Sequence, residues 1–131
     1  MITYSKLRGG KTLSTLIFDF HQKHSIKREI SFLESKIILS EIVKNNNYFG
    51  YLKEFDDITN FIIDIKRNEI DINKLSFDEL KKSALIEILE KYNKFLIENN
   101  LADLGDIEKF VYENITQMTA GNSMSELLSL L

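Results

Sequence analysis

The chain is 131 residues long, 44% apolar, with a formal net charge of −3. That is enough for one domain with a sizeable core, too apolar for bulk disorder, and too acidic for a module whose main task is to grip nucleic acid. It has no cysteine and no proline, which excludes disulfides, thiolate metal sites and a cysteine nucleophile, points to the cytosol, and leaves long helices uninterrupted.

No run approaches the ~20 apolar residues of a membrane span, and no apolar stretch of the signal-peptide kind follows the charges of MITYSKLRGGK. Leucine and isoleucine dominate, while valine occurs only at Val43 and Val111. That balance favours helix over sheet. The expected fold is therefore all-α, one bundle of five to six helices with short loops.

Residues 1–12 read as a leading segment: a short start, Met1 to Tyr4, then a loop around Gly9-Gly10. The bundle is expected over residues 13–118. Its first helix covers Thr12 to His24, with Leu13, Leu16, Ile17 and Phe20 on one side. Ser31 and Glu34 have capping-box spacing, in which hydroxyl and carboxylate each accept from the other residue's backbone N–H. They open a helix to about Lys44, whose apolar residues are Leu33, Ile37, Ile38, Ile42 and Val43. Glu41 interrupts that stripe, and Asn45, Asn46 and Asn47 stop the helix. A third helix is expected from about Phe49 to Arg67, on Leu52, Phe55, Ile58, Ile62 and Ile65. Asn68 to Leu75 follows as a connector, with an extended path suggested by Ile70, Ile72 and Leu75.

The stretch from Leu75 to Phe110 organises the rest. Ser76 and Glu79 repeat the capping-box spacing. Leu80, Ala84, Leu85, Ile88, Leu89, Tyr92, Phe95 and Leu96 form the stripe. Lys81, Lys82, Glu87, Glu90, Lys91 and Lys94 take the outer face. Glu87 to Lys91 and Glu90 to Lys94 are favourable i,i+4 pairs of roughly 0.2–0.5 kcal/mol each. Asn99 and Asn100 stop the helix, since asparagine tolerates the left-handed conformation. Another helix is expected from about Asp106 to Met118, with Ile107, Phe110, Val111 and Ile115 inward. Gly121 and Asn122 break it. Ser123 and Glu126 suggest a short terminal helix over residues 123–131, whose leucines either fold back on the core or continue into a longer chain.

The chemistry-bearing groups are few. Arg8-Gly9-Gly10-Lys11-Thr12 resembles the end of a phosphate loop, but Ser5 stands where that loop needs its first glycine. An ordinary loop is the better reading, with Lys6, Arg8 and Lys11 as candidate contacts to a phosphate backbone. His21 and His24, near Asp19, lack a third and fourth ligand and read as solvated helix residues. Asp56-Asp57 and Asp103 with Asp106 are paired carboxylates of the kind used in acid–base or metal chemistry. Asp103 or Asp106 as an N-terminal helix cap is the better reading. Phe49, Tyr51, Phe55, Phe61 and Tyr92 read as core rather than as a stacking platform for single strands. No catalytic, metal or cofactor residue is assigned.

Taken end to end, the chain resembles the helical (1B-like) insertion of superfamily 1 helicases of the UvrD/RecB kind, nearest to the B subunits of AddAB/RexAB helicase–exonucleases. The resemblance rests on Ile2-Thr3-Tyr4-Ser5-Lys6-Leu7, on Ile30-Ser31-Phe32-Leu33-Glu34 through Ile38-Leu39, and on Phe61-Ile62-Ile63-Asp64-Ile65-Lys66 with Ile70. Its last part is Tyr92, Phe95, Leu96, Leu101, Asp103 and Ile107 in a Y-x-x-F-L…L-x-D-x-x-D-hydrophobic frame. It covers about residues 2–118. It implies a helical subdomain of a longer chain, without catalytic residues of its own. ATP and magnesium would belong to the parent machine. The implied partners are the rest of that chain and its companion subunit. The stretch around Thr3 would lie close to single-stranded DNA, with Thr3 as a weak contact candidate. The rival expectation is a small helical protein–protein interaction or regulatory module.

Overall fold

The computed structural model describes residues 13–119, with side-chain surroundings for residues 15–114. Thr3, Lys6, Arg8, Lys11, the Gly9-Gly10 loop and the terminal helix expected from Ser123 lie outside the described residues, as do the side chains of Leu13 and Ile115. Within them the fold is an all-α bundle of five helices: α1 (Leu13–His24), α2 (Phe32–Lys44), α3 (Asp56–Asn68), α4 (Glu79–Glu98) and α5 (Leu104–Thr119). Two short strands, β1 (Arg28–Glu29) and β2 (Leu101–Ala102), join the links before α2 and after α4.

The Ser31 box forms as expected. The Ser31 hydroxyl accepts from the Glu34 N–H at 3.1 Å, and the Glu34 carboxylate accepts from the Ser31 N–H at 3.2 Å. The Ser31 N–H, and after it the Arg28 guanidinium, hold the Glu34 carboxyl below its ordinary range. The inward face of α2 differs from the expected one. Ser35, Leu39 and Val43 are buried, whereas Leu33 and Ile37 are 58% and 56% exposed. Glu41 explains the turn, because it continues the Leu33–Ile37 row by one more helical step and draws that row to water.

α3 begins at Asp56, not near Phe49. The preceding segment is a turn built on Asn46, whose buried side-chain oxygen accepts from the N–H groups of Tyr48 and Phe49, each at 2.9 Å. Its amide donates to Glu87 at 2.7 Å and fastens the turn to α4. The Gly50 N–H bonds the Asn46 carbonyl, and a Cβ at position 50 would stand 2.7 Å from that oxygen. The turn thus excludes a side chain where the periodicity suggested helix. Phe49 is buried, but Tyr51, expected in the core, is 70% exposed. On α3 itself, Ile58, Thr59, Ile62, Ile63 and Ile65 face inward.

The connector is not an extended segment. Ile72–Lys74 forms a single 3₁₀ turn capped by Asp71, and it buries Ile72. Phe77 then meets Phe61, ring centres 6.0 Å apart. The cap of α4 is Asp78 rather than Ser76: its carboxylate accepts from the Lys81 N–H at 2.8 Å. The helix thus starts after the expected cap, and Leu80, in its first turn, is 74% exposed instead of inward. Asp78→Ala is expected to cost about 1 kcal/mol in a urea melt, and Ser76→Ala less than about 0.5. A larger loss for Ser76→Ala would restore the original cap.

Ala84, Leu85, Ile88, Tyr92 and Leu96 form the buried stripe of α4, and Phe95 is partly exposed at its edge. Lys91 reaches Glu87 at 3.4 Å, and Lys94 reaches Glu98. Asn99 caps the end and Asn100 adopts φ 55°, as the double asparagine suggested.

The two-strand pairing was not expected. β1 and β2 run parallel, with Arg28 opposite Leu101 and Glu29 opposite Ala102. The Arg28 N–H reaches the Asn100 carbonyl and the Ile30 N–H the Ala102 carbonyl, each at 2.9 Å. Two residues per strand are too few to show an alternating pattern. The main core lies between α2, α3 and α4, around Leu39, Val43, Ile62, Ile88 and Tyr92. α5 packs on α3 and α1, burying Leu16, Phe20, Ile107 and Val111. Among the described residues, no helix is long and apolar enough to cross a membrane.

Candidate functional site

The most concentrated polar chemistry sits where α3, α4 and α5 meet. Lys66, in the last turn of α3, stands four residues after Ile62 and so lies on the inward side of its helix. Its ammonium donates to the Asp103 carboxylate at 2.9 Å and to the Asp106 carboxylate at 3.0 Å, and it lies 4.9 Å from the centre of the Tyr92 ring. The Tyr92 hydroxyl donates to the same Asp103 oxygen at 2.8 Å. Asp103 and Tyr92 are fully buried, and the Lys66 side chain nearly so.

Asp103 and Asp106 are also the cap of α5. The Asp103 carboxylate accepts from the Asp106 N–H at 2.9 Å, and the Asp106 carboxylate accepts from the Asp103 N–H at 3.3 Å. This is a capping box built from two aspartates, and the expectation of a cap holds. Gly105 lets α5 start hard against α3, since a Cβ there would stand 3.1 Å from the Ile63 carbonyl oxygen. One carboxylate, Asp103, thus ends β2, starts α5, holds the last turn of α3 and satisfies a phenol on α4.

The arrangement engages Tyr92, Lys66 and Asp103 with one another, and Asp106, 30% exposed, borders open space. Burial first, then the Asp103 charge, push the Tyr92 hydroxyl far above the ordinary phenol range, so it remains a proton donor. Lys66 directs its hydrogens at two carboxylates, and both aspartates accept backbone N–H bonds as well. A general base needs an open lone pair within reach of a substrate. The Lys66 and Asp106 edge of the cluster opens into a groove of roughly 450 Å³ that also carries Lys109. Glu69 accepts from the Lys109 ammonium at 2.7 Å and raises its affinity for its proton.

The other sequence candidates fall elsewhere. His21 is buried, contrary to the solvated reading: its Nδ1 lies 2.7 Å from the Glu29 carboxylate, and its ring meets the edge of Phe110. It faces the helix side that carries Phe20, which α5 covers. His24 is exposed and rests on Phe20. Asp56 pairs with Lys36 of α2 at 2.9 Å, apart from the Asp103–Asp106 pair. Among the described residues, no group of three histidine, aspartate or glutamate side chains is placed to hold a metal.

Sequence reading missed Lys66 and Tyr92 as partners of Asp103. The available signal was a lysine in step with Ile62. Two surface features remain. Leu33 and Ile37 of α2 are exposed, and Ile37 lines a shallow depression of roughly 400 Å³ with Phe95 of α4. A second cleft, of roughly 600 Å³, lies between the first halves of α3 and α4. Comparison with family models, curated proteins and solved structures gave no match.

Proposed function

We propose that the chain is a non-catalytic helical packing unit of an ATP-dependent DNA helicase–exonuclease, the role implied by its resemblance to the helical insertion of UvrD/RecB-type helicases. The observation that carries this reading is where the resembling residues fall. Ile62, Tyr92, Leu96, Leu101, Asp103 and Ile107 are buried, and Lys66 bridges them through Asp103. These positions help to hold the bundle together, while Leu33, Ile70 and Phe95, which carry the resemblance too, are exposed. In this reading the exposed Leu33 and Ile37, with Phe95 beside Ile37, seat on the motor core. Thr3, Lys6, Arg8 and Lys11 supply a weak contact to DNA, and ATP and magnesium are bound by the parent chain.

A gel shift with a single-stranded oligonucleotide tests the DNA contact. The expected result is weak binding at low salt that fades steeply as salt rises and is lost in the Lys6→Ala/Arg8→Ala/Lys11→Ala variant. Tight nucleotide binding or hydrolysis by the chain alone would sink the reading. A second reading, a helical protein–protein interaction module without a nucleic-acid role, is favoured by the net charge of −3 together with the exposed apolar row on α2. No shift even at low salt would select it.

A further inference from the structure

The cleft between the first halves of α3 and α4 is apolar at its base, where Ile58, Phe61, Phe77 and Leu85 meet. Lys81 lies across Phe77, its ammonium 4.3 Å from the ring centre. Lys53, Glu54 and Asp57 complete the charged rim. Two cations and two anions thus share one rim. Among the described residues none of the four forms an ion pair, although Lys36, Lys66 and Lys91 all do. Tyr51, largely exposed, lines the same cleft. One patch therefore carries an apolar hollow, an aromatic ring that packs little against its own chain, and both signs of charge.

A patch that carries both signs of charge can pair with a second copy of itself. In a twofold contact, residue i of one copy meets residue j of the other, and j meets i. A rim of one sign would repel its mate, whereas a mixed rim can pair with it. Small-ligand pockets enclose most of the ligand's surface, and this cleft is broadly open. We infer that the chain associates with a second copy of itself through this patch: Tyr51 of each copy enters the other's cleft, and Asp57 of each faces the other's Lys81. The patch is small, which places the contact at the weak, transient end of interface sizes.

Sedimentation equilibrium of the full chain over rising concentration tests this. The expected result is a reversible monomer–dimer equilibrium that Tyr51→Ala weakens at least tenfold. Asp57→Lys and Lys81→Asp should each weaken it too, because each sets like charges against one another. The double variant Asp57→Lys/Lys81→Asp should recover the dimer, as should an equimolar mixture of the two single variants. Circular dichroism confirms that each variant is folded, and Tyr51→Ala, at an exposed position, serves if a charge reversal harms α3. A chain that stays monomeric throughout assigns the cleft to another occupant and overturns the inference. So does a dimer indifferent to Tyr51→Ala, or a double variant that fails to recover.

Discussion

Asp103→Ala is expected to destabilise the fold by about 3–5 kcal/mol, the usual cost of removing one member of a buried ion pair. The substitution leaves the Lys66 ammonium with Asp106 alone, the Tyr92 hydroxyl without its acceptor, and the Asp106 N–H uncapped. A small domain has only about 5–15 kcal/mol in total, so the variant should unfold at a much lower urea concentration. Tyr92→Phe, which deletes one hydrogen bond to a charged acceptor, should cost less, roughly 1.5–3 kcal/mol. Urea unfolding followed by circular dichroism measures both. A loss under about 1 kcal/mol for Asp103→Ala, the range of exposed ion pairs, would show that water reaches the cluster and that it does not hold the three helices.

Ile88→Ala is expected to cost about 2–5 kcal/mol, while Leu80→Ala, on the same helix, should stay within about 0.5 kcal/mol. Ile88 is fully enclosed in the core between α2, α3 and α4, so truncation leaves a cavity its neighbours cannot fill. Leu80 lies two turns earlier in the first turn after the Asp78 cap and is surrounded mostly by water. The pair of melts checks the register of α4. Comparable losses at the two positions would mean that the helix is rotated relative to the structure.

The helical class, the main helices and the stop at Asn99-Asn100 were legible in the sequence because each rests on local spacing. What failed depended on competition between neighbours. Ser76 and Asp78 were both able to cap α4, and the aspartate immediately before Glu79 won. Leu33 and Ile37 looked inward until Glu41, in step with them, had to be hydrated. Phe49 looked helical because periodicity does not register a side chain such as Asn46 folding back on its own backbone. The buried cluster was half legible: Asp103 and Asp106 announce a cap, but their partners Lys66 and Tyr92 are brought to them by tertiary packing alone. His21 shows the same limit, since only the placement of α5 and Glu29 reveals that it is enclosed.

The short ladder between β1 and β2 has a kinetic consequence. Its register joins Arg28 to Leu101, and so closes a loop that spans three helices. Such a closure costs chain entropy long before its few hydrogen bonds return anything. The ladder is therefore expected to assemble late, after α2, α3 and α4 have collapsed on one another, and a substitution that breaks it should speed unfolding more than it slows folding in stopped-flow traces. As a latecomer it acts as a latch on the way out, slowing escape from the native state while leaving the rate of entering it nearly untouched.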